Sequence, residues 1–370
     1  MHFRDVLWWG VAASLLVGCS RWLFSSNYSN STAWKPLRIM TKEEQNHLKN
    51  EAESLLKEWK GILAADESTG TIGKRFVQIN LDNTETNRQR YRELLFTTVD
   101  LEKYISGVIM FEETFYQKTN SKVRFVDILK DKGIKVGIKL DRGLTAFGTL
   151  NEQISQGLED LDTRIAEFRK GGCTFAKWRS VFHISPGTPS ESAIRKNAEI
   201  LATYARKCQE HGLVPIVESE VLAIGSHDIA QTQLITEKVL AYVFKALNEK
   251  EVYLEGTILK PNMVVPGLSS PTVANSSEVA YATVTALRRT VPPAIPGIAF
   301  LSGGQTEDEA TTNLKAIVNV NLTKPWKITF SFGRALQTTT LKRWHGAEIA
   351  AAQEALIERA KANCNALKSQ

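Results

Sequence analysis

Eight short apolar segments recur along this chain, and each is followed by a polar loop and a longer amphipathic stretch. They start roughly 29 to 44 residues apart, which is the spacing that a strand, a crossover helix and a return strand require. Segments this short and this apolar are typical of buried parallel strands. The predicted strands are Gly61–Asp66, Ile105–Phe111, Val136–Asp141, Phe175–Val181, Leu213–Glu220, Leu254–Lys260, Gly297–Leu301 and Trp326–Phe332.

This repeat predicts an α/β fold of one domain, a closed (β/α)8 TIM barrel. An open, doubly wound sheet is the structural alternative, but no glycine-rich dinucleotide-binding motif follows the first predicted strand. Thr41 and Glu44 form a predicted capping box that starts a helix before that strand. An Ala/Glu-rich segment, Ala347–Leu367, predicts a terminal helix. We therefore assign residues 35–370 to the barrel and its C-terminal helix.

Charged residues lie inside or at the ends of these strands, late in each one. Side chains at positions i and i+2 of a strand share a face, and the carboxyl ends of barrel strands surround the active site. Burying an ion costs several kcal/mol, so eight charges at one barrel end indicate a function rather than a purely structural set of ion pairs. The eight residues are Asp66, Lys139, Asp141, Lys177, Arg179, Glu218, Glu220 and Lys260.

Lys260 is the strongest candidate for a nucleophile. It ends a short, partly β-branched apolar run and is followed at once by Pro261. Burial disfavours the charged form of a lysine, and the neutral amine carries the lone pair that attacks a carbonyl to form a Schiff base. A lysine that extends from a strand end to solvent is the alternative for Lys260 taken alone. The carboxylates expected at the same end of the barrel favour the interpretation of Lys260 as a nucleophile.

The last two predicted strands are followed by residues that suit a phosphate group. Ser302, Gly303 and Gly304 leave the seventh strand, and backbone amides at a glycine turn near a helix N-terminus bind anions. Gly333 and Arg334 leave the eighth strand, which places a guanidinium beside that turn. The loops after strands seven and eight are the usual phosphate site of this architecture. The sequence therefore predicts a phosphate site here.

Four motifs together resemble one family, the class I fructose-1,6-bisphosphate aldolases of animal type. The motifs are KGILAADESTG at Lys60–Gly70, FAKWR at Phe175–Arg179, LEGTILKPN at Leu254–Asn262 and LSGGQ at Leu301–Gln305. They are long, they occur in the family's order, and the resemblance extends from about Lys35 to Lys368.

The resemblance implies a catalytic role for five matching positions. Lys260 would form the Schiff base with the substrate ketone, and Glu218 would be the acid and base that dehydrates the carbinolamine. Lys177 would stabilise charge beside Glu218. Asp66 would take the C4 hydroxyl proton as the C3–C4 bond breaks. Glu220 would support the two lysines. A protonated imine accepts the electron pair, so no metal or cofactor is expected.

The resemblance also implies two phosphate-binding ends for the sugar. One phosphate would be held by Ser302, Gly303, Gly333 and Arg334. The residues expected around the other end are Ser68, Thr71, Arg75, Lys139 and Arg179.

This chain departs from the family's pattern in three places. It has Glu218-Ser219-Glu220 where the family usually has Glu-Pro-Glu, and Phe332 where Tyr is common. Family members usually end in a tail with a terminal Tyr that helps to protonate the enamine, whereas this sequence ends at Gln370. We expect intact cleavage chemistry and slower enamine protonation. Single-turnover kinetics that found carbon–carbon cleavage to limit the rate would contradict this expectation.

Composition excludes several classes of protein. The chain has 370 residues, of which 43% are hydrophobic and 23% charged, as suits a globular protein with a large core. An excess of 46 basic over 40 acidic residues favours anionic partners such as phosphorylated metabolites. No run of basic and aromatic residues indicates nucleic-acid binding. The four cysteines form no CxxC or Cys/His cluster, so neither a disulfide framework nor a zinc site is predicted.

The first 34 residues are foreign to the resemblance. Val6–Ser20 is uncharged. It is shorter than a typical membrane-spanning helix and is similar to the core of a signal peptide. Two glycosylation sequons follow at Asn27 and Asn30. We interpret residues 1–34 as an extension that is either disordered or a targeting segment.

The predicted function is reversible cleavage of fructose 1,6-bisphosphate to dihydroxyacetone phosphate and glyceraldehyde 3-phosphate, in glycolysis and gluconeogenesis. The alternative is a divergent paralogue with weak activity that acts as a scaffold, for instance on actin filaments. The resemblance implies a homotetramer in the cytoplasm and a phosphorylated sugar as substrate. A membrane-associated or secretory location is expected only if residues 1–34 act as a signal.

Overall fold

The computed structural model describes residues 38–368, so the predictions made for residues 1–34 and for the end of the chain lie outside the described residues. From Met40 onward the described chain forms one compact unit. Within the described residues, no helix has the length and apolar character needed to cross a membrane. The three cysteines of this part, Cys173, Cys208 and Cys364, are buried and free.

Eight parallel strands close into a barrel, which confirms the predicted (β/α)8 fold. Their order around the barrel is β1-β10-β9-β8-β7-β6-β3-β2, and a separate antiparallel hairpin is formed by β4 and β5. The strands are β1 Gly61–Ala65, β2 Ile105–Met110, β3 Lys135–Lys139, β4 Leu144–Phe147, β5 Glu152–Ser155, β6 Phe175–Phe182, β7 Val214–Val221, β8 Ile258–Pro261, β9 Gly297–Phe300 and β10 Lys327–Phe332.

Twelve α-helices connect and flank these strands in the described part of the chain. Several begin with a side-chain cap: the predicted capping box at Thr41/Glu44 is present, and a further capping box forms at Thr306/Glu309. The helices are α1 Lys42–Leu55, α2 Thr69–Phe76, α3 Glu85–Thr97, α4 Glu112–Tyr116, α5 Phe125–Asp131, α6 Leu161–Gly171, α7 Glu191–Glu210, α8 Ile229–Glu249, α9 Ser276–Thr290, α10 Glu307–Asn319, α11 Arg334–Trp344 and α12 Ile349–Ala366.

The alternation of side chains along each strand divides the core in two. Outward residues such as Leu63 and Val217 pack with the helices in a large cluster. Inward residues such as Ile62 and Ile216 pack in a second cluster with Leu48 and other buried residues of α1. Helix α1 therefore closes the barrel at the end where the strands begin. The opposite end, where the strands finish, is left for polar side chains.

Two details of the prediction were wrong. The segment Leu254–Gly256 was assigned to the sixth barrel strand, but it forms a 3-10 turn, and β8 begins only at Ile258. Gly256 lies against α1, where an added Cβ would come within 2.7 Å of Leu48. The hairpin of β4 and β5 was not predicted, because its first strand is partly or fully exposed and has no buried apolar run.

Candidate active site

The barrel strands end at a cavity of about 840 Å³. Eight basic and six acidic side chains line it, so its character is strongly ionic. All the site residues predicted from the sequence are brought together here: Asp66, Ser68, Thr71, Arg75, Lys139, Lys177, Arg179, Glu218, Glu220, Lys260, Ser302, Gly303, Gly333 and Arg334.

Strand register explains why these charges meet. In β7 and β8, Glu218 is the register partner of Lys260, and in β6 and β7, Arg179 is the register partner of Glu218. Lys177 and Arg179 are two residues apart and therefore face the barrel interior together. The apolar residues between them, such as Trp178, face the helices. In a closed barrel these inward side chains all point toward the same axis and meet there, whereas in an open sheet they would not.

Lys177 lies at the centre of the charged cluster and is buried. Its Nζ is 2.8 Å from Asp66 Oδ2, 3.1 Å from Glu218 Oε2 and 3.9 Å from Asp141 Oδ2. Burial alone would lower the pKa of Lys177, but the charges of Asp66, Glu218 and Asp141 raise it above its ordinary value. Lys177 is therefore a fixed cation at neutral pH.

Glu218 bridges two lysines. Its Oε1 is 3.3 Å from Lys260 Nζ, while its other oxygen contacts Lys177. Burial acts to raise the pKa of Glu218, but the charges of Lys177, Lys260 and Arg179 outweigh burial and lower it. In the unliganded protein Glu218 is thus a carboxylate. Loss of positive charge on Lys260 would remove one of the cations that keep it so.

Asp66 follows β1 directly and is also a carboxylate. Burial acts to raise its pKa, but Lys177, Lys260 and Lys139 together hold the pKa of Asp66 well below its usual range. This carboxylate contacts Lys177, so the two carboxylates Asp66 and Glu218 lie on either side of one ammonium.

Lys139 and Arg179 each have a carboxylate partner of their own. Lys139 Nζ is 2.6 Å from Asp141 Oδ1 and donates to the main-chain oxygen of Asp141 at 2.7 Å. Arg179 donates to Glu220 Oε2 at 2.6 Å. Among the described residues this is the ion pair that Glu220 makes, and no contact joins it to Lys260 or Lys177. Glu220 is two residues further along β7 than Glu218, so it lies nearer the mouth than the lysines it was expected to support.

The predicted phosphate site has the geometry expected of an anion site. Gly333 caps α11, which begins at Arg334, so the first amides of a helix of 11 residues face this region. A Cβ added at Gly303 would lie 2.3 Å from Glu220 Oε1, so the backbone can approach a ligand here only because the residue is glycine. Burial, followed by the charge of Arg75, lowers the pKa of Arg334. An anion would relieve this repulsion.

Arg75 lies close to this phosphate site. A Cβ added at Gly333 would come within 3.8 Å of Arg75 Nη2. Ser68 caps α2 and accepts from the amide of Thr71, which places both hydroxyls at the rim of the cavity beside Arg75. The cations therefore form a nearly continuous arc around the mouth. No group of three or more His, Cys, Asp or Glu side chains in residues 38–368 is arranged to hold a metal ion.

Two residues of the site were missed by the sequence prediction. Ser331 lines the cavity from β10 and is almost fully buried, and its Oγ has no hydrogen-bond partner among residues 38–368. The alternation of Phe330, Ser331 and Phe332 was a usable signal, since a polar residue between two buried aromatics faces the other side of the sheet. Glu67 is buried, lines the cavity and pairs with Arg75 of α2 and with Arg92 of α3, and no strand periodicity indicated it because it lies in the turn after β1.

The fold and the site define the class of protein: a (β/α)8-barrel enzyme with a buried lysine–carboxylate cluster beside a predicted phosphate site. Comparison with known proteins narrows this class. The family model described as fructose-bisphosphate aldolase class-I matches residues 47–370. "Fructose-bisphosphate aldolase 2" of Caenorhabditis elegans is 57% identical over 330 residues, covering 88% of this chain and 90% of that protein. "Fructose-bisphosphate aldolase 5, cytosolic" of Arabidopsis thaliana is 57% identical over 310 residues, covering 83% and 86%.

A solved structure agrees. Fructose-bisphosphate aldolase from Plasmodium falciparum, in a complex with TRAP and a small-molecule inhibitor, superposes with a TM-score of 0.87 at 47% identity. The match covers 89% of this chain and 96% of that one. The chain belongs to the class I fructose-bisphosphate aldolase family, and so to the carbon–carbon lyases.

The charge of Asp66 predicts a pH dependence of stability. Because the pKa of Asp66 is lower in the folded protein than in the unfolded chain, its contribution is present at neutral pH and is lost as the pH falls through the acidic range. We expect Asp66→Asn to lower the free energy of unfolding by about 3 kcal/mol at pH 7, because Lys177 keeps its other partners. Below about pH 5 the difference from wild type should shrink.

The measurement is urea unfolding between pH 7 and about pH 2.5, because the contribution is lost mainly below the ordinary pKa of an aspartate, about 4. The control is Asp131→Asn, which changes an exposed aspartate at the end of α5 and should leave stability nearly unchanged at every pH. A constant difference between wild type and Asp66→Asn across this range would contradict the prediction.

Proposed function

We propose that the chain cleaves fructose 1,6-bisphosphate reversibly to dihydroxyacetone phosphate and glyceraldehyde 3-phosphate, through a Schiff base on Lys260. The observation that carries the proposal is the unbroken chain of contacts from Lys260 through Glu218 and Lys177 to Asp66. An amine, a proton donor and acceptor, a fixed cation and a second base are the groups that this chemistry requires.

In the first half of the reaction, the ammonium of Lys260 gives a proton to Glu218, whose pKa rises because one of the cations that lower it is lost. The neutral amine attacks the C2 carbonyl, a C–N bond forms, and a proton moves from the nitrogen to the carbonyl oxygen, which gives a neutral carbinolamine. Glu218 then donates the proton that it received from Lys260 to the departing hydroxyl, which leaves as water. The product is a protonated imine on Lys260.

In the second half, Asp66 accepts the proton of the C4 hydroxyl. The electron pair of the C3–C4 bond moves into the imine, which gives an enamine on Lys260 and releases the aldehyde product. Protonation of C3 and hydrolysis of the imine release the ketone product and restore the lysine. Lys177 remains charged throughout and stabilises the two carboxylates on either side of it.

The arc of cations supports two phosphate positions. One lies at Ser302, Gly303, Gly333 and Arg334, where helix α11 begins. The other lies toward Lys139 and Arg179 on β3 and β6, with Ser68, Thr71 and Arg75 on the side of β1. Arg75 on α2 borders both positions. We therefore assign it to the phosphate that lies nearer to α2 in the bound sugar. The scaffold alternative is not favoured, because a scaffold has no need of this buried set of charges.

Borohydride trapping with dihydroxyacetone phosphate tests the proposal directly. Reduction of a Schiff base should leave a stable adduct on Lys260, detected by peptide mass mapping. Lys260→Met should give no adduct and lower kcat at least about 1,000-fold, because the nucleophile is gone.

The matched control is Lys135→Met. Lys135 is at the start of β3, pairs with Glu51 at 2.9 Å and lies at the opposite end of the barrel from the site. It should still give the adduct on Lys260. An adduct on a different lysine would show that Lys260 is not the nucleophile. No adduct in the folded wild-type protein would also refute the proposal and would favour the scaffold alternative.

Ser331 provides a second test of the site. Its buried, unpartnered hydroxyl is a cost to the free protein that a hydroxyl of the bound sugar would offset. We expect Ser331→Ala to reduce kcat/KM about 5- to 10-fold while leaving Tm unchanged or raising it. Steady-state kinetics and thermal unfolding measure the two effects.

Ser219 is the control for Ser331, because it is similarly buried and its Oγ also has no hydrogen-bond partner in the described part of the chain. It lies on β7 between the inward residues Glu218 and Glu220, so it faces away from the cavity. Ser219→Ala should shift Tm in the same way and leave kcat/KM unchanged. Equal losses of kcat/KM in the two variants would show that Ser331 has no special role.

We further propose that residues 1–34 form a separate extension and that the protein is a cytoplasmic homotetramer, with contact to actin filaments as an additional possibility. The relative named cytosolic supports the location. Fractionation of a C-terminally tagged chain, with glycosidase treatment, should give no mobility shift at Asn27 or Asn30. Sedimentation equilibrium should give four times the monomer mass. A glycosylated product would overturn the cytoplasmic location, and a monomer mass would overturn the tetramer.

A further inference from the structure

A second set of buried charges is centred on Glu67, which lines the cavity from the segment between β1 and α2. Glu67 is buried and pairs with two arginines: its Oε1 binds Arg75 Nη1, and its Oε2 is 2.7 Å from Arg92 Nη1. The side chain of Arg75 is 19% exposed and lines the cavity, whereas that of Arg92 is only 3% exposed and comes from α3 behind β1. One carboxylate is thus shared between a cation that a ligand can reach and a cation that it cannot.

Glu67 is held in place by groups that lie away from the substrate. Gln337 Nε2 donates to Glu67 Oε1 at 3.0 Å and to the main-chain oxygen of Ala64 at 2.8 Å. The hydroxyl of Tyr91 donates to Gln337 Oε1 at 3.0 Å. Arg92 Nη2 also donates to the main-chain oxygen of Glu67 at 3.3 Å. The carboxylate is therefore anchored from the side of α3 and α11, and Arg75 is its partner on the side of the cavity.

The charges explain why two arginines are present. If Arg75 were the sole partner of Glu67, its movement toward a phosphate would leave a buried carboxylate without a counter-ion, which is strongly unfavourable. Arg92 remains beside Glu67 in either case. Although the atoms of Arg92 and Glu67 are close, they are not aligned as a hydrogen bond, so Glu67 can turn further toward Arg92 when Arg75 leaves. Burial acts to raise the pKa of Glu67, but both arginines outweigh it, so the carboxylate stays charged.

We propose that Arg92 is a positioning residue that keeps Arg75 available for a substrate phosphate by neutralising Glu67. This inference rests on the proposed role of Arg75 in phosphate binding. Arg92 does not contact the substrate; it acts through Glu67, and its loss would make Glu67 and Arg75 an exclusive pair.

The primary test is Arg92→Met in the full chain, with fructose 1,6-bisphosphate as the substrate and inorganic phosphate as a competitive probe. We expect KM and the inhibition constant of phosphate to rise about tenfold or more, with kcat within about twofold of wild type, because ground-state binding is lost while the chemistry is intact. Arg92→Lys retains the charge and should give a smaller rise.

A double variant separates this role from a structural one. Glu67→Gln combined with Arg92→Met removes both buried charges and frees Arg75, so KM should return to within about threefold of wild type. A purely structural role for Arg92 predicts that the double variant is at least as impaired as Arg92→Met. In an Arg75→Met background, Arg92→Met should cause no further rise in KM, because the residue through which it acts is absent.

Arg206→Met controls for the loss of a buried arginine. Arg206 is on α7, pairs with Glu210 at 2.8 Å, and does not line the cavity. It should lower Tm and leave KM unchanged. Borohydride trapping on Lys260 in every variant shows that the catalytic set is intact.

The outcomes distinguish this inference from the proposed function. An unchanged KM in Arg92→Met, or an equally raised KM in the double variant, overturns the inference and leaves the role of Arg75 standing. An unchanged KM in Arg75→Met overturns the role of Arg75 and the inference together, while the Lys260 adduct still reports on the lyase chemistry. A raised KM that Glu67→Gln reverses supports the inference.

Discussion

The burial of Lys177 is the constraint on which the rest of the site depends. A buried ammonium is tolerated only with counter-ions, and Lys177 has Asp66, Glu218 and Asp141 within 4 Å. These carboxylates come from β1, β7 and the end of β3, so only a closed sheet can bring them to one lysine. The barrel therefore positions the charges, and the charges in turn require that these strand ends stay together.

This arrangement also fixes where the protons are before a substrate arrives. The pKa values of Asp66 and Glu218 are lowered and that of Lys177 is raised, so both carboxylates are charged and one ammonium is protonated. Neither carboxylate is a proton donor in this state. In the proposed mechanism Glu218 becomes one when the charge on Lys260 is lost, because these two residues are in direct contact. Under that proposal, reaction at the lysine provides the acid that the next step needs.

The fold and the charged strand-end residues were predictable from the sequence because both follow from short-range periodicity. Apolar segments marked the strands, and charges two residues apart marked an inward face. Ser68, Thr71 and Arg75 were expected only from the family resemblance, as was the role of Glu220 beside the lysines. Periodicity gives the face of a residue and not its depth, so it could not show that Glu220 pairs with Arg179. The partners of Glu67 lie 25 and 270 residues away, at Arg92 and Gln337, and no local pattern connects them. Contacts made by helix side chains behind the barrel can be found only in three dimensions.

The two groups of buried charges differ in their proposed roles during a turnover. Around Lys177, each ion would transfer a proton or stabilise a developing charge, so its partners would change as bonds change. Around Glu67, the proposed role requires only that charge be redistributed, with Arg75 moving between a carboxylate and a phosphate while Arg92 stays in place. A phosphate-binding arginine with no internal carboxylate would stand unpaired in the empty site, and one with an exclusive partner would resist the ligand. If Glu67 is shared between Arg75 and Arg92, Arg75 is neither unpaired without a phosphate nor held back from one. This gives a physical reason for the pair of Glu67 and Arg92, which is proposed to act without contacting the substrate.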